Sequence, residues 1–288
     1  MSFLGTPTIF LHGQAANKFI YTCDGTVLAN QQPSSIRRLC GERNIMELSG
    51  SEHKRVRGSL VSFLKPEVLK QYVGKMDEEI RKHFEVHWHG KEKVLVGNAI
   101  DEDSYLQHYE LSDIWNRAKC KKKHTRRALP TTGEGCPFKQ EEIAKSKASG
   151  ELLTWDDLAR MKYTWRAAME CLRMTPPAFC SFRKVIWAAC MTHMDDCIFP
   201  NPSEFDPKHF DKQASVPPYN FLAFGGGPRI CPGYEFARLE TLITIHYLVN
   251  RFTWKLCHPN ISFSRDPLPT LKDGLEIEIE PKIPAKVN

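Results

Sequence analysis

Apolar residues recur with helical spacing in two long stretches of the chain. Leu158, Met161, Trp165, Ala168, Met169 and Leu172 fall three or four apart, which predicts one amphipathic helix over 155–173. Thr154 is placed to cap its first turn, and Pro176 and Pro177 stop it soon after Arg173. Glu170 and Arg173 lie three apart, so they share a face and are able to pair. Pro66 opens a second helix whose stripe is Leu69, Val73, Met76, Ile80 and Phe84. A further helical run begins near Tyr234. Residues 275–280 alternate apolar and acidic, the pattern of a half-exposed strand, with Gly274 at the turn before it.

The length of 288 residues allows a substantial core in one large domain or two. The net charge of +6 is local: residues 117–127 hold seven Lys and Arg and no acid, and without them the balance is −1. That run lacks interleaved aromatics and periodicity, so it reads as a solvated loop and not as a nucleic-acid surface. The ten cysteines form no C-x-x-C pair and are scattered through apolar stretches, as reduced buried thiols are. His83, His87 and His89 have no well-placed cysteine or carboxylate partner, so no zinc site is expected there. No stretch near Met1 is apolar for long enough to span a bilayer, and no signal-peptide pattern occurs.

The densest chemistry lies at 224–233, Phe-Gly-Gly-Gly-Pro-Arg-Ile-Cys-Pro-Gly. Gly225, Gly226 and Gly227 leave room for a flat ligand against backbone. A helix N-terminus just after Cys231 favours an anionic thiolate. Arg229 is able to reach a carboxylate on such a ligand, and Phe224 to cover the sulfur. With Gly233, Ala237 and Glu240 in register, this segment resembles the haem-thiolate loop of the cytochromes P450. There a cysteine thiolate is the axial ligand of the haem iron.

Other segments extend the resemblance over 5–96 and 140–281. Glu170 and Arg173 match the buried pair of the family's K helix, which has a structural role. Residues 199–210 resemble the family's meander, with His209 where an arginine normally completes a triad with that pair. Residues 50–57 resemble the C helix, and His53 and Arg57 occupy the positions that hold a haem propionate. Residues 224–240 and 154–158 are similar to plant P450s that oxidise terpenoids, such as triterpenoid oxidases and taxane hydroxylases.

The resemblance implies a mainly α fold with small β-sheets, in incomplete form. Residues 1–99 would be the N-terminal part of the P450 domain, 100–139 an unplaced basic segment, and 140–288 the haem-binding C-terminal part. It implies haem b as cofactor, with Cys231 on the iron and Arg229, Phe224, Gly225, Gly227, Gly233, Arg57 and His53 around it. The implied reaction inserts one oxygen atom from O2 into a C–H bond of a lipophilic terpenoid or sterol-like substrate. Electrons would come from NADPH-cytochrome P450 reductase, at the endoplasmic reticulum membrane.

Two departures qualify this. No A-G-x-x-T oxygen-activation motif occurs in the sequence, and the stretch for helices E to I is far shorter than in the family. After residue 185 the hairpin that lines the haem pocket and supplies sheet strands is expected to be missing. The chain is therefore expected to start inside the catalytic domain, to leave the Leu69/Val73/Met76 stripe uncovered, and to be inactive, with no catalytic acid identifiable. The alternatives are a defective fragment and a non-enzymatic haem-binding or interaction protein.

Overall fold

The computed structural model describes chiefly residues 10–23, 43–96, 136–177, 186–211, 216–258 and 274–282. It adds the short strands at 2–3, 6–7, 181–182, 263–265 and 269–271, and positions 28, 37–38 and 41. The chain forms two compact units, residues 1–68 with 172–235 and residues 69–171 with 236–288. Helices predominate and the sheets are small, as expected. The basic run at 117–127 lies outside the described residues.

In the first unit, β1 (Ser2–Phe3) pairs with β2 (Thr6–Pro7). Strand β3 (Phe10–Leu11) leads to α1 (Gln14–Thr22), and α2 (Gly50–Phe63) follows. Ile20 and Tyr21 of α1 pack with Leu28, Ala189 and Leu222 into a small core. Its polar edge is closed by Asn17, fully buried, whose Nδ2 donates to Thr192 Oγ1 at 3.0 Å and to the Tyr219 carbonyl at 2.9 Å. Buried amides need such partners, and here they tie α1 to sequence 175 and 202 residues away.

Ile186 and Trp187, which follow directly at the point where a hairpin was expected to be missing, form a strand. β5 (Ser181–Phe182) pairs antiparallel with β6 (Ile186–Trp187), and β6 pairs in parallel with β3. With β6 in the middle, a three-stranded sheet forms in the order β3-β6-β5.

In the second unit, α3 (Pro66–His87) buries Leu69, Val73, Ile80 and Phe84 to 3% exposure or less. The expectation of an uncovered stripe is thereby corrected for Leu69 and Val73, and Met76 is half-buried. Phe84 lies against Trp88, Tyr247 and Phe252, with ring centroids 5.0, 6.4 and 5.9 Å away. Asp77 sits in the same stripe, fully buried. Its Oδ2 accepts from Leu153 N–H at 3.0 Å and pairs with Arg81 Nη2 at 3.0 Å. Removing one partner of such a buried pair costs far more than the pair contributes.

The single helix predicted over 155–173 is two. The first, α5 (Trp155–Arg160), ends at Met161, which has ψ 42 and bonds back to Leu158 O at 3.1 Å. The next, α6 (Lys162–Met174), continues the same apolar face. Periodicity survives the break because Leu158, Met161 and Ala168 are each 1% exposed, so packing fixes their direction while the backbone kinks. Thr154 caps α5 as predicted, its hydroxyl accepting from Asp157 N–H while Asp157 Oδ2 accepts from Thr154 N–H at 2.8 Å. Lys147 Nζ completes the cap, 2.8 Å from Asp157 Oδ2.

Sheet β4 (Lys93–Val96), β10 (Leu275–Pro281) and β7 (Phe252–Leu256) is antiparallel throughout. Leu275, Ile277 and Ile279 are buried while Glu276, Glu278 and Glu280 face outward, as the alternation predicted. Strands β8 (Phe263–Arg265) and β9 (Pro269–Leu271) form a separate pair.

Two titrating groups lie on α8 (Tyr234–Arg251). Burial pushes the Glu240 carboxyl up to about 7, and burial holds the His246 imidazole down at about 4. His246 Nδ1 is 2.6 Å from Gln140 Oε1 on α4 (Cys136–Ser146), and Gln140 Nε2 donates to Thr164 Oγ1 at 2.8 Å. The unfolded chain ionises Glu240 near pH 4.5, so this group's share of stability falls as pH rises from about 4.5 to about 7. The unfolded chain protonates His246 near 6.5, so its share falls as pH drops from about 6.5 to about 4. Glu240→Gln should therefore stabilise the chain at pH 8, by roughly 2–3 kcal/mol, and change little at pH 4.5. Urea unfolding midpoints at the two pH values measure this, and equal effects at both would refute it.

Candidate functional site

The 224–233 segment is a loop closed by its own backbone. Gly225 N–H donates to Leu222 O at 2.9 Å, Cys231 N–H to Phe224 O at 2.8 Å, and Ile230 N–H to Gly227 O at 3.1 Å. Gly227–Arg229 make one 3₁₀ turn, and α8 starts at Tyr234, three residues after the cysteine. Cys231 is exposed at the end of this loop. Phe224 does not cover the sulfur as expected. It supplies the carbonyl that fixes the Cys231 N–H, and its ring lies edge-on to Tyr234 at 4.8 Å.

The glycines are needed, but for a reason the sequence did not disclose. Gly225 and Gly227 have φ of 73° and 58°, in the left-handed region. A Cβ on Gly227 would stand 2.5 Å from the Tyr21 carbonyl oxygen, and one on Gly226 would stand 3.3 Å from the Tyr21 ring. The room first assigned to a flat ligand is, on this side of the loop, taken by Tyr21 of α1. At Gly233 a Cβ would meet Cys231 Sγ at 3.8 Å, an ordinary contact.

Arg229 ties the loop to the entry of α2. Its Nη2 donates to Leu48 O at 2.6 Å and its Nη1 to Met46 O and Ile45 O at 3.4 and 3.5 Å. Two residues beyond that turn α2 begins, carrying His53 and Arg57. His53 is buried, and its imidazole is held below its ordinary value by that burial and by the positive charges of Arg229 and Arg57. Arg57, one turn along α2, and Arg229, far away in sequence, thus both act on His53. A cluster of like charges is stabilised by an anion placed among them. An exposed sulfur on the same loop and an anion-seeking cluster suit a ligand with a metal centre and carboxylates, so the residues present fit haem. Cys231 would hold the iron, and His53, Arg57 and Arg229 the propionates.

Glu170 and Arg173 are fully buried, so they are not an exposed helix pair. Arg173 Nη1 donates to His193 O at 2.7 Å, and Nη2 donates to Pro202 O and Glu204 O at 2.8 and 3.2 Å. Its guanidinium also lies over the Phe199 ring, 5.2 Å from the centroid. His209, expected to weaken the triad, bonds Pro200 O at 2.8 Å and meets Phe199 edge-on. Backbone carbonyls therefore hold 193–204 to Arg173 without an arginine at 209.

His193, which the sequence reading passed over, is also fully buried. It belongs to a short helix, α7 (Ala189–His193), that has no helical period to mark it. His83 and His87 stand with ring centroids 4.7 Å apart on α3, and among the described residues no group of three or more His, Cys, Asp or Glu is placed to hold a metal ion. Among the described residues no helix is long and apolar enough to cross a membrane.

Comparisons with known proteins agree on one family. The sequence model of "Cytochrome P450" matches residues 139–273. Beta-amyrin 28-monooxygenase of Kalopanax septemlobus is 28% identical over 400 positions, covering 97% of this chain and 83% of that protein. Protopanaxadiol 6-hydroxylase of Panax ginseng is 28% identical over 396 positions, covering 97% and 84%. Because this chain has 288 residues, at least 112 of the 400 positions in the first alignment have none of its residues opposite them. Among solved structures, retinoic acid-bound cyanobacterial CYP120A1 superposes with a TM-score of 0.73 at 21% identity, covering 95% of this chain and 89% of that one.

The Tyr21 contact gives a direct test of the loop. Gly227→Ala meets both a positive φ and a 2.5 Å backbone clash, and should destabilise the chain by more than about 2 kcal/mol. Gly58→Ala, in the interior of α2 with open space around it, should stabilise by up to about 1 kcal/mol. Chemical denaturation of the two variants beside the parent decides this. Similar midpoints for both would remove Tyr21 as the reason for the glycine.

Proposed function

From the premise that this chain belongs to the cytochrome P450 superfamily, a family of haem-thiolate monooxygenases, we propose that Cys231 is its axial iron ligand. The observation that carries the proposal is the exposed Cys231, on a loop that Arg229 pins to the base of the helix bearing His53 and Arg57. Bound there, haem supplies the activation of dioxygen that the family's chemistry needs.

The chain's own residues would do three things. The Phe224 carbonyl and the turn at 227–229 hold the sulfur at the end of a short, closed loop. His53, Arg57 and Arg229 would orient the haem by its propionates, the two guanidinium groups through charge-assisted bonds. Gly225 and Gly227 let the loop turn through positive φ without the strain a side chain would bring there.

The substrate class follows from the relatives' names, which include a beta-amyrin monooxygenase and a protopanaxadiol hydroxylase. We infer a lipophilic triterpenoid-like substrate and an NADPH-dependent reductase as electron donor, at the endoplasmic reticulum membrane. We also infer that this 288-residue chain does not itself couple electron delivery to hydroxylation. The basis is the pair of facts that no A-G-x-x-T motif occurs in it and that over a hundred aligned positions have no counterpart. The reading of the chain as a haem-binding remnant rests on the same two facts.

The ligand assignment is tested by the reduced carbon monoxide complex. It should show the red-shifted Soret band of thiolate ligation, and Cys231→Ser should abolish it. A band that survives the substitution would exclude Cys231. Activity is tested by supplying haem, reductase, NADPH and beta-amyrin. We expect no hydroxylated product, and product in step with NADPH consumption would overturn the inactive reading while leaving the ligand assignment intact.

A further inference from the structure

His193 lies 38 residues before Cys231, yet two of its hydrogen bonds bear on where the cysteine loop begins. Leu222 N–H donates to His193 Nε2 at 2.8 Å, and His193 Nδ1 is 3.1 Å from the Arg173 carbonyl oxygen. A peptide N–H is only a donor, so Nε2 must accept. Nδ1 then carries the proton and donates to Arg173 O, which fixes a neutral imidazole in one tautomer. The ring is also stacked on Phe221 at 5.4 Å, and Phe221 meets Phe210 edge-on at 5.0 Å. The residue that His193 holds, Leu222, is the one whose carbonyl accepts from Gly225 N–H and so closes the first turn of the loop.

We propose that His193 is a positioning residue for the thiolate loop. It acts through Leu222, setting where the loop leaves the 193–222 framework and so where Cys231 presents its sulfur. The link runs from Arg173 O through the imidazole to Leu222, then to Gly225, and the loop closes at Phe224 O and Cys231 N. The imidazole is the one side chain in that link, and its Nε2 is the atom that reaches Leu222. This proposal rests on the assignment of Cys231 as iron ligand for its functional meaning, but its geometry stands without haem.

The two amide side chains separate the two ring nitrogens. In His193→Gln the terminal oxygen takes the place of Nε2 and is able to accept from Leu222. In His193→Asn the amide nitrogen takes the place of Nδ1, donates to Arg173 O, and leaves Leu222 N–H without its acceptor. Hydrogen exchange read by mass spectrometry on the whole chain should show amides of 220–231 exchanging about tenfold faster in His193→Asn. His193→Gln should stay near the parent, and segments 275–281 should be unchanged in both. In the haem-loaded chain, His193→Asn should lose part of the thiolate Soret band and His193→Gln should keep it.

Equal exchange in the two variants, or a uniform rise over the whole chain in both, would overturn the proposal. A parent chain without a thiolate band would sink the ligand assignment, and the exchange contrast would still decide the role of His193.

Discussion

A fully buried guanidinium sets the terms for the half of the molecule that bears the cysteine. Arg173 has no exposed surface, and a charge in that position is tolerable only where several acceptors surround it. The acceptors are the backbone carbonyls of His193, Pro202 and Glu204, with the Phe199 ring beneath. Satisfying one side chain therefore fixes a stretch of irregular backbone that has no sheet or helix to hold it. Burying His193 against the Arg173 carbonyl extends that fixed region to Leu222, two residues before the first residue of the 224–233 loop. Polar satisfaction in the interior thus bears on where the loop begins, and the loop's own Arg229 ties it to the entry of α2.

The second constraint is steric. Tyr21 approaches the loop so closely that its carbonyl oxygen leaves no space for a Cβ at Gly227, and its ring would crowd one at Gly226. The approach is possible because α1 is itself anchored through Asn17 to Thr192 and Tyr219. One amide side chain therefore holds α1 both to the residue before His193 and to the residues that lead into the loop. The cysteine is exposed, yet the backbone around it is held on several sides, which is the condition for presenting a metal ligand without a cost in reordering.

The second unit carries its polar groups differently. Asp77 and Arg81 pair inside the α3 stripe, and Gln140 links Thr164 to His246. These groups have partners. Glu240, by contrast, is desolvated to a degree that raises its carboxyl to about 7, and the neutral acid is what that position favours. A group of this kind lowers stability at neutral pH relative to an uncharged isostere.

Much of this was legible in the chain itself. The period of Leu69, Val73, Ile80 and Phe84, the cap at Thr154 and the alternation at 275–280 depend only on local geometry, which sequence spacing encodes directly. The cysteine loop stood out because its residues are contiguous, although the partners of its glycines and of Arg229 lie elsewhere in the chain. What the sequence could not decide are the contacts made at long range. The break at Met161 comes from packing, since the helical period is the same on both sides of it. The need for Gly227 comes from Tyr21, 206 residues earlier, and the value of His193 comes from Arg173 and Leu222. The pairing of β6 with β3 joins strands 176 residues apart that are only two residues long, too short to show a period. Sequence by itself determined where the candidate chemistry lies along the chain. The tertiary structure decided what holds them in place, because burial and hydrogen-bond satisfaction are properties of neighbours brought together by the fold, which adjacency along the chain does not encode.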